Sequence, residues 1–299
     1  MSKPLRVALL QERDRGSREA NLDAIEAGLR EAAAQNAQLV LLQELHNGPY
    51  FCQHESVAEF DRAESIPGPS TDRLGALAAE LELVVVASLF ERRAAGLYHN
   101  TAVVFDRAKA ICGKYRKMHI PDDPAFYEKF YFTPGDLGFE PIQTSVGKLG
   151  VLVCWDQWYP EGARLMALAG ADLLLYPTAI GWDPADEDAE KARQRDAWVT
   201  VQRGHAVANG LPLLACNRYG FEPAPTDSTT TGARGIQFWG SSFVAGPQGE
   251  FLAQAPTDQR QLLIADVDMQ RSESVRRIWP FLRDRRVDAY ADLLRRYRD

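Results

Sequence analysis

Residues 150–164 read GVLVCWDQWYPEGAR. The apolar run Val151-Leu152-Val153 reads as a buried strand that ends on Cys154, and the stretch WDQWYPEGAR opens a helix near 159–169. A side chain at such a turn is presented at the end of the strand. The adjacent backbone N–H groups point the same way, the geometry of a nucleophile elbow. A helix N-terminus also favours a thiolate through its partial positive charge. A free cysteine is otherwise most often a buried structural residue, so the turn alone leaves both readings open.

The alternation of strand and helix continues outward. Residues 5–10 (LRVALL) read as a buried strand, residues 18–36 carry Leu22, Ile25, Leu29 and Ala32 at helical spacing, and 39–42 (LVLL) is a second strand. A helix over 72–81, with Leu74, Leu77 and Leu81, precedes a strand at 83–89. Residues 99–105 (HNTAVVF) and 108–115 (AKAICGKY) read as antiparallel strands joined by an Asp-Arg-Ala turn, and IQTSVGKLGVLVC (142–154) as a hairpin turning at Gly147-Lys148. Past Cys154 come a strand at 172–176 and a helix over 189–208 that Gly210 stops. Strands at 212–215, 238–245 and 262–267 follow, then a C-terminal helix starting near 286. The polar stretch 220–235 reads as an exposed loop. No repeat or low-complexity linker divides the chain, so residues 1–299 read as a single α/β domain with one or two mixed sheets covered by helices.

The bulk composition sets limits. With 299 residues, 45% of them hydrophobic and 25% charged, the chain is globular. At that length it buries roughly 75% of the surface its unfolded form exposes, without needing a staple. A net charge of −7 argues against a nucleic-acid or anionic-membrane surface. No apolar run approaches the roughly 20 residues of a membrane span. The N-terminal stretch lacks the apolar core of a signal peptide, so a soluble cytoplasmic protein is expected. Cys52, Cys112, Cys154 and Cys216 form no CxxC motif. His46, His54, His99, His119 and His205 have no metal-ligand spacing, so neither metal nor cofactor is expected. His205 lies on the apolar face of its helix with Trp198, Val201 and Ala208 and reads as a satisfied core histidine.

Three further positions carry possible chemistry. Glu44, in LVLLQELHNGPYFC, follows a buried strand, where a carboxylate is costly unless it has a partner or a task. It reads as a general base or as a surface glutamate. Lys117, in GKYRKMHIPDDP, stands beside Lys114 and Arg116 and reads equally as part of a solvated charge run. Glu128, in AFYEKFYFTPGD, is surrounded by Phe126, Tyr127, Phe130, Tyr131 and Phe132, a setting that suits an exposed group or a positioned one.

Taken together, LLQEL, YRKMHIPD and GVLVCWDQWYPE place a glutamate, a lysine and a cysteine in the order and contexts of the nitrilase superfamily, which the chain resembles from RVALLQ to RDRRVDAY. The segments QELHNGPYFCQ, KMHIPDDPAFYEKFYFTPGD, CWDQWYPE, YPTAIGW and FWGSSFVAGPQGE look like the branch that hydrolyses N-carbamoylputrescine. The resemblance implies a four-layer αββα sandwich with two mixed β-sheets. It also implies a homo-oligomer in which the segment from about Trp279 to the end packs on a partner. In that picture Cys154 is the nucleophile and Glu44 the general base. Lys117, with a backbone N–H at or next to Trp155, stabilises the oxyanion. Glu128 positions the lysine and the substrate, and His119 is a candidate for orienting the lysine loop.

The implied partner is a small cationic carbamoyl compound whose ammonium needs an acid or an aromatic cage. Candidate acids are Asp156, beside the nucleophile, and the run Asp183, Asp186, Glu187, Asp188. Tyr50, Trp155, Trp158 and Trp182 are candidate walls of a narrow channel. Two alternatives stay open. A carbamoyl-amino acid hydrolase needs an arginine or a helix terminus for the substrate carboxylate. An interaction protein with a degenerate site is disfavoured by the intact Glu–Lys–Cys set.

Overall fold

The computed structural model describes residues 3–225 and 234–298. One six-stranded sheet holds β1 (Leu5–Gln11), β2 (Leu39–Leu42), β3 (Val84–Ala94), β4 (Leu97–Asp106), β5 (Ile111–Arg116) and β15 (Gln261–Val267), in the order β15-β1-β2-β3-β4-β5. A second holds β6 (Ile142–Thr144), β7 (Gly147–Val151), β8 (Leu173–Thr178), β10 (Leu213–Asn217), β13 (Phe243–Ala245) and β14 (Phe251–Gln254), in the order β14-β13-β10-β8-β7-β6. Both are mixed: β1, β2 and β3 run parallel, as do β7, β8 and β10, and the flanking strands are antiparallel. A small third sheet joins β9 (Gly181–Trp182), β11 (Tyr219–Glu222) and β12 (Ile236–Trp239).

The strands are continuously apolar because both of their faces are buried. Along β1, Val7 and Leu9 point into the core between the sheets, where they join Leu41, Val86, Val151, Leu175 and Leu213. Ala8 and Leu10 point the other way, onto Ile25 and Leu29 of α1 (Arg18–Ala34) and Leu74 and Leu77 of α2 (Pro69–Glu80). On the far side α4 (Pro160–Leu168) packs on β7 and α5 (Asp188–Asn209) on β10. The result is the αββα sandwich. Each buried Leu or Val in it contributes roughly 1.5–3 kcal/mol. Two short helices complete the set, α3 (Glu128–Tyr131) and α6 (Gln270–Ile278). No helix of the described residues is long and apolar enough to cross a membrane.

Four expectations need correction. The 142–154 hairpin turns at Ser145-Val146, and Gly147 is the first paired residue of β7, opposite Thr144. The run 238–245 is two strands in different sheets, separated at Gly240–Ser242, where Gly240 (φ 48°) and Ser241 (φ 56°) both take left-handed backbone. Part of 220–235 belongs to strand β11, and residues 226–233 lie outside the described residues. No α-helix starts near 286, where only 3-10 turns form, at Val287–Ala289 and Ala291–Leu294. Val287, Leu293 and Leu294 are exposed there, and a short helix without a surface to bury its apolar face gains little.

What positions a site is the meeting of strand exits. The Glu44 N–H, just past β2, donates to the Thr178 carbonyl at the end of β8 (3.3 Å). The exits of the two sheets are thereby joined beside the turn that follows β7.

Candidate active site

After β7 the chain passes through a 3-10 segment, Cys154–Trp158, before α4 begins at Pro160. Cys154 has φ 44°, a left-handed conformation that is strained for a residue with a Cβ and that recurs at functional turns. Asp156 holds this turn. Its Oδ2 accepts the Val153 N–H (2.9 Å) and the Tyr115 hydroxyl (2.8 Å). Its Oδ1 accepts the His119 N–H (3.0 Å) and lies 2.7 Å from His119 Nδ1. The turn is thus bound to the segment that follows Lys117. This corrects the expectation that Asp156 meets a substrate ammonium, since it is fully buried with both oxygens engaged and is not part of the cavity wall. His119 orients the lysine segment through this contact and stacks on Tyr159 at 3.7 Å. His205 is a core residue whose Nε2 lies 2.8 Å from the Gln157 carbonyl.

The Cys154 thiol is buried, and its Sγ faces the Ala179 carbonyl at 3.8 Å. Burial first, and the Glu44 carboxylate second, push the thiol well above its ordinary range, while Lys117 opposes them. The resting group is therefore a neutral thiol. The favourable helix terminus expected from the sequence is only a short 3-10 turn, and it does not outweigh desolvation.

Glu44 from the turn after β2, Lys117 from the segment directly after β5 and Glu128 from the first residue of α3 converge. Lys117 Nζ lies 2.8 Å from Glu44 Oε1 and 2.6 Å from Glu128 Oε2, with all three side chains out of solvent. Burial alone would drive the lysine toward neutrality. The two carboxylates outweigh it and hold the ammonium well above the ordinary lysine value. Glu128 is pushed up to about 7, by burial and by Glu44, against the pull of Lys117. Tyr50 donates its hydroxyl to Glu128 Oε1 (2.7 Å). Its ring packs on Phe126 and Phe238 and does not line the cavity, so Tyr50 supports Glu128 from behind.

Two groups that no local pattern marks complete the surroundings of Glu44. Asn100, in mid-strand, donates its Nδ2 to Glu44 Oε1 (2.7 Å). Arg218 is buried and donates to the carbonyls of Glu44 (3.0 Å) and Leu45 (2.9 Å) while pairing with Glu222 (2.6 Å). Glu44 Oε2 is buried and has no hydrogen-bond partner among the described residues.

Cys154 opens onto a cavity of about 420 Å³. Trp155, Trp158 and Trp239 give it apolar lining, and Glu128 also lines it. Trp182 does not line it. Its ring turns onto Trp239 (5.3 Å) and its Nε1 donates to the Lys191 carbonyl (2.8 Å), which braces the loop carrying Asp183 and Asp186. Those two carboxylates do line the cavity, as does Asp123. Gln194 fixes one oxygen of Asp186 (3.0 Å). Glu187 and Asp188 are not part of the wall. No group of three or more His, Cys, Asp and Glu among the described residues is arranged to hold a metal ion.

The chain is similar in sequence and fold to known proteins. The pattern of the carbon-nitrogen hydrolase family matches residues 6–277. N-carbamoylputrescine amidase of Arabidopsis thaliana is 45% identical over 275 residues, covering 92% of this chain and 90% of that protein. A citrullinase of Francisella tularensis is 39% identical over 294 residues, covering 98% and 99%. The crystal structure of a carbon-nitrogen hydrolase from Helicobacter pylori superposes with a TM-score of 0.94 at 55% identity, covering 98% of this chain and 99% of that one.

Proposed function

The chain belongs to the carbon-nitrogen hydrolase family and is a hydrolase of carbon–nitrogen bonds, and from that premise we propose that it converts N-carbamoylputrescine and water to putrescine, CO₂ and ammonia, a step of polyamine biosynthesis. The observation that carries the substrate is the charge of the cavity wall. Among the described residues, Asp123, Glu128, Asp183 and Asp186 line it, and no Lys or Arg does. Lys117 and Tyr50 already engage Glu128, which leaves the aspartates for a cation. A substrate carboxylate would find no guanidinium to hold it and would meet like charge.

The chemistry follows from the site. Glu44 takes the Cys154 proton as Sγ attacks the carbamoyl carbon. The C=O π electrons move to oxygen, and Lys117 Nζ with the backbone N–H at Trp155 stabilises the oxyanion. Collapse breaks a C–N bond, and Glu44 returns the proton to the departing nitrogen. Glu44 then deprotonates water, which attacks the thioester and restores the thiol. The released carbamic acid breaks down to CO₂ and an amine. Expulsion of putrescine first or of ammonia first gives the same products. The neutral resting thiol makes a nearby base necessary, and the open Glu44 Oε2 suits that task.

The test is a comparison of kcat/KM for N-carbamoylputrescine, citrulline and N-carbamoyl-β-alanine. The proposal expects the first to be preferred. Preference for either of the others overturns the substrate assignment.

A further inference from the structure

Glu44 Oε1 receives two donors, Lys117 Nζ at 2.8 Å and Asn100 Nδ2 at 2.7 Å, while Oε2 receives none among the described residues. Asn100 is buried on β4, and its orientation is determined. An ionised carboxylate only accepts, so the amide must turn its NH₂ to Glu44. Its Oδ1 then faces Ser88, whose Oγ donates to it (3.1 Å) and accepts the Leu45 N–H (3.3 Å). The chain Leu45–Ser88–Asn100–Glu44 closes on the residue next to its start. The Asn100 carbonyl also accepts the Lys117 N–H (2.9 Å). One residue thereby fixes the carboxylate of Glu44 and the backbone of Lys117.

We propose that Asn100 is a positioning residue of the site: with Lys117 it occupies Oε1 of Glu44 and leaves Oε2 as the oxygen that takes the Cys154 proton. The inference rests on the reading of Glu44 as the base. Without Asn100 the carboxylate is free to turn about its last torsion, and its charged form loses a donor. The other ionisable groups around Glu44 are Lys117, Glu128, Cys154, Cys52 and Tyr50, with the Arg218 guanidinium on its main-chain carbonyl. None of them reproduces a neutral donor at Oε1.

The experiment compares Asn100→Ala, Ser88→Ala and Glu44→Gln with the unmodified enzyme, reading kcat, KM and the pH profile of kcat/KM on N-carbamoylputrescine. Asn100→Ala is expected to lower kcat roughly 10- to 100-fold with little change in KM, the range of a hydrogen bond to a charged group. Its acid limb moves up by about one pH unit, because the ionised form has lost a donor. Ser88→Ala, which keeps the Asn100 donor on Glu44 but removes the hydroxyl that holds the amide oxygen, moves kcat and the limb the same way by less. It stands in if Asn100→Ala does not fold. An unmoved acid limb in the folded variants overturns the proposal and returns Asn100 to a packing role. Glu44→Gln separates the two readings. If it remains active, the base assignment has failed. If it is inactive while the Asn100 and Ser88 profiles are unmoved, only the positioning role has failed.

Discussion

Lys117 and Glu128 form a fully buried ion pair, Nζ to Oε2 at 2.6 Å, in which the ammonium stays charged against the pull of desolvation. The pair makes Glu128 more than a neighbour, because it sets where the lysine charge stands relative to Cys154. Glu128→Gln is therefore expected to fold and to lose activity by roughly 10²–10³ in kcat, the effect of misplacing one oxyanion donor. Steady-state rates with circular dichroism check it. A fully active variant would return Glu128 to a structural role.

The same carboxyl gives a pH signature of stability. Folded Glu128 titrates at about 7 against an ordinary value of 4.5. Between those values the folded chain binds more protons at this site than the unfolded chain, so its contribution to stability falls as pH rises through that window. Buried His46, lowered to about 4 chiefly by desolvation, acts in the opposite sense as pH falls below 6.5. The difference between the parent and Glu128→Gln isolates the first group. Urea midpoints at pH 5 and pH 8 should show the parent losing more stability than the variant on going to pH 8. Equal losses contradict the raised titration.

Asp156 anchors the cysteine turn through four contacts and is not part of the cavity wall. Asp156→Asn keeps the shape but turns an amide N–H₂ toward donors. It is expected to cost on the order of 1–3 kcal/mol of stability, as unsatisfied buried groups do. Urea unfolding measures this. Unchanged stability with a raised KM for the cationic substrate alone would restore the ammonium-binding role.

Asp183 and Asp186 line the cavity, and in the proposed reaction they are the carboxylates that would meet the substrate ammonium. Asp183 is exposed and Asp186 half-buried, so each contact would be worth roughly 0.2–1 kcal/mol. Asp183→Asn and Asp186→Asn should each raise KM for N-carbamoylputrescine a few-fold and leave N-butylurea, its uncharged analogue, unaffected. Equal effects on both compounds would remove the electrostatic explanation.

The C-terminal segment exposes Ile278, Trp279, Phe281, Leu294 and Tyr297. We propose that a second copy of the chain covers these residues. A homo-oligomer is expected by light scattering, and ending the chain after Ile278 should reduce its mass. A monomer at working concentration contradicts this.

Glu44, Lys117 and Cys154 each follow a strand whose exit is visible as an apolar run that stops, but each read there equally as a structural residue, and only the family resemblance grouped the three as a site. The alternation of strands and helices was legible from apolar runs and helical spacing, which left one or two mixed sheets open, and the four-layer sandwich followed only from the family resemblance. Asp156 was misjudged because its partners, Tyr115 and His119, reach it only through tertiary packing. Asn100 and Arg218 carry no local signal, since each is one polar residue within or beside an apolar strand. The split at Gly240–Ser242 was hidden by two buried strands that read as one run, although Gly-Ser-Ser sits between them. The C-terminal helix failed because spacing describes a face but not whether anything covers it.

The most direct test of the whole account is rapid-quench mass spectrometry of the enzyme turning over N-carbamoylputrescine. A transient acyl group is expected on the peptide containing Cys154, absent from Cys154→Ala, with a mass that shows which nitrogen left first. Turnover with no adduct on that peptide, together with substantial hydrolysis by Cys154→Ala, would contradict it.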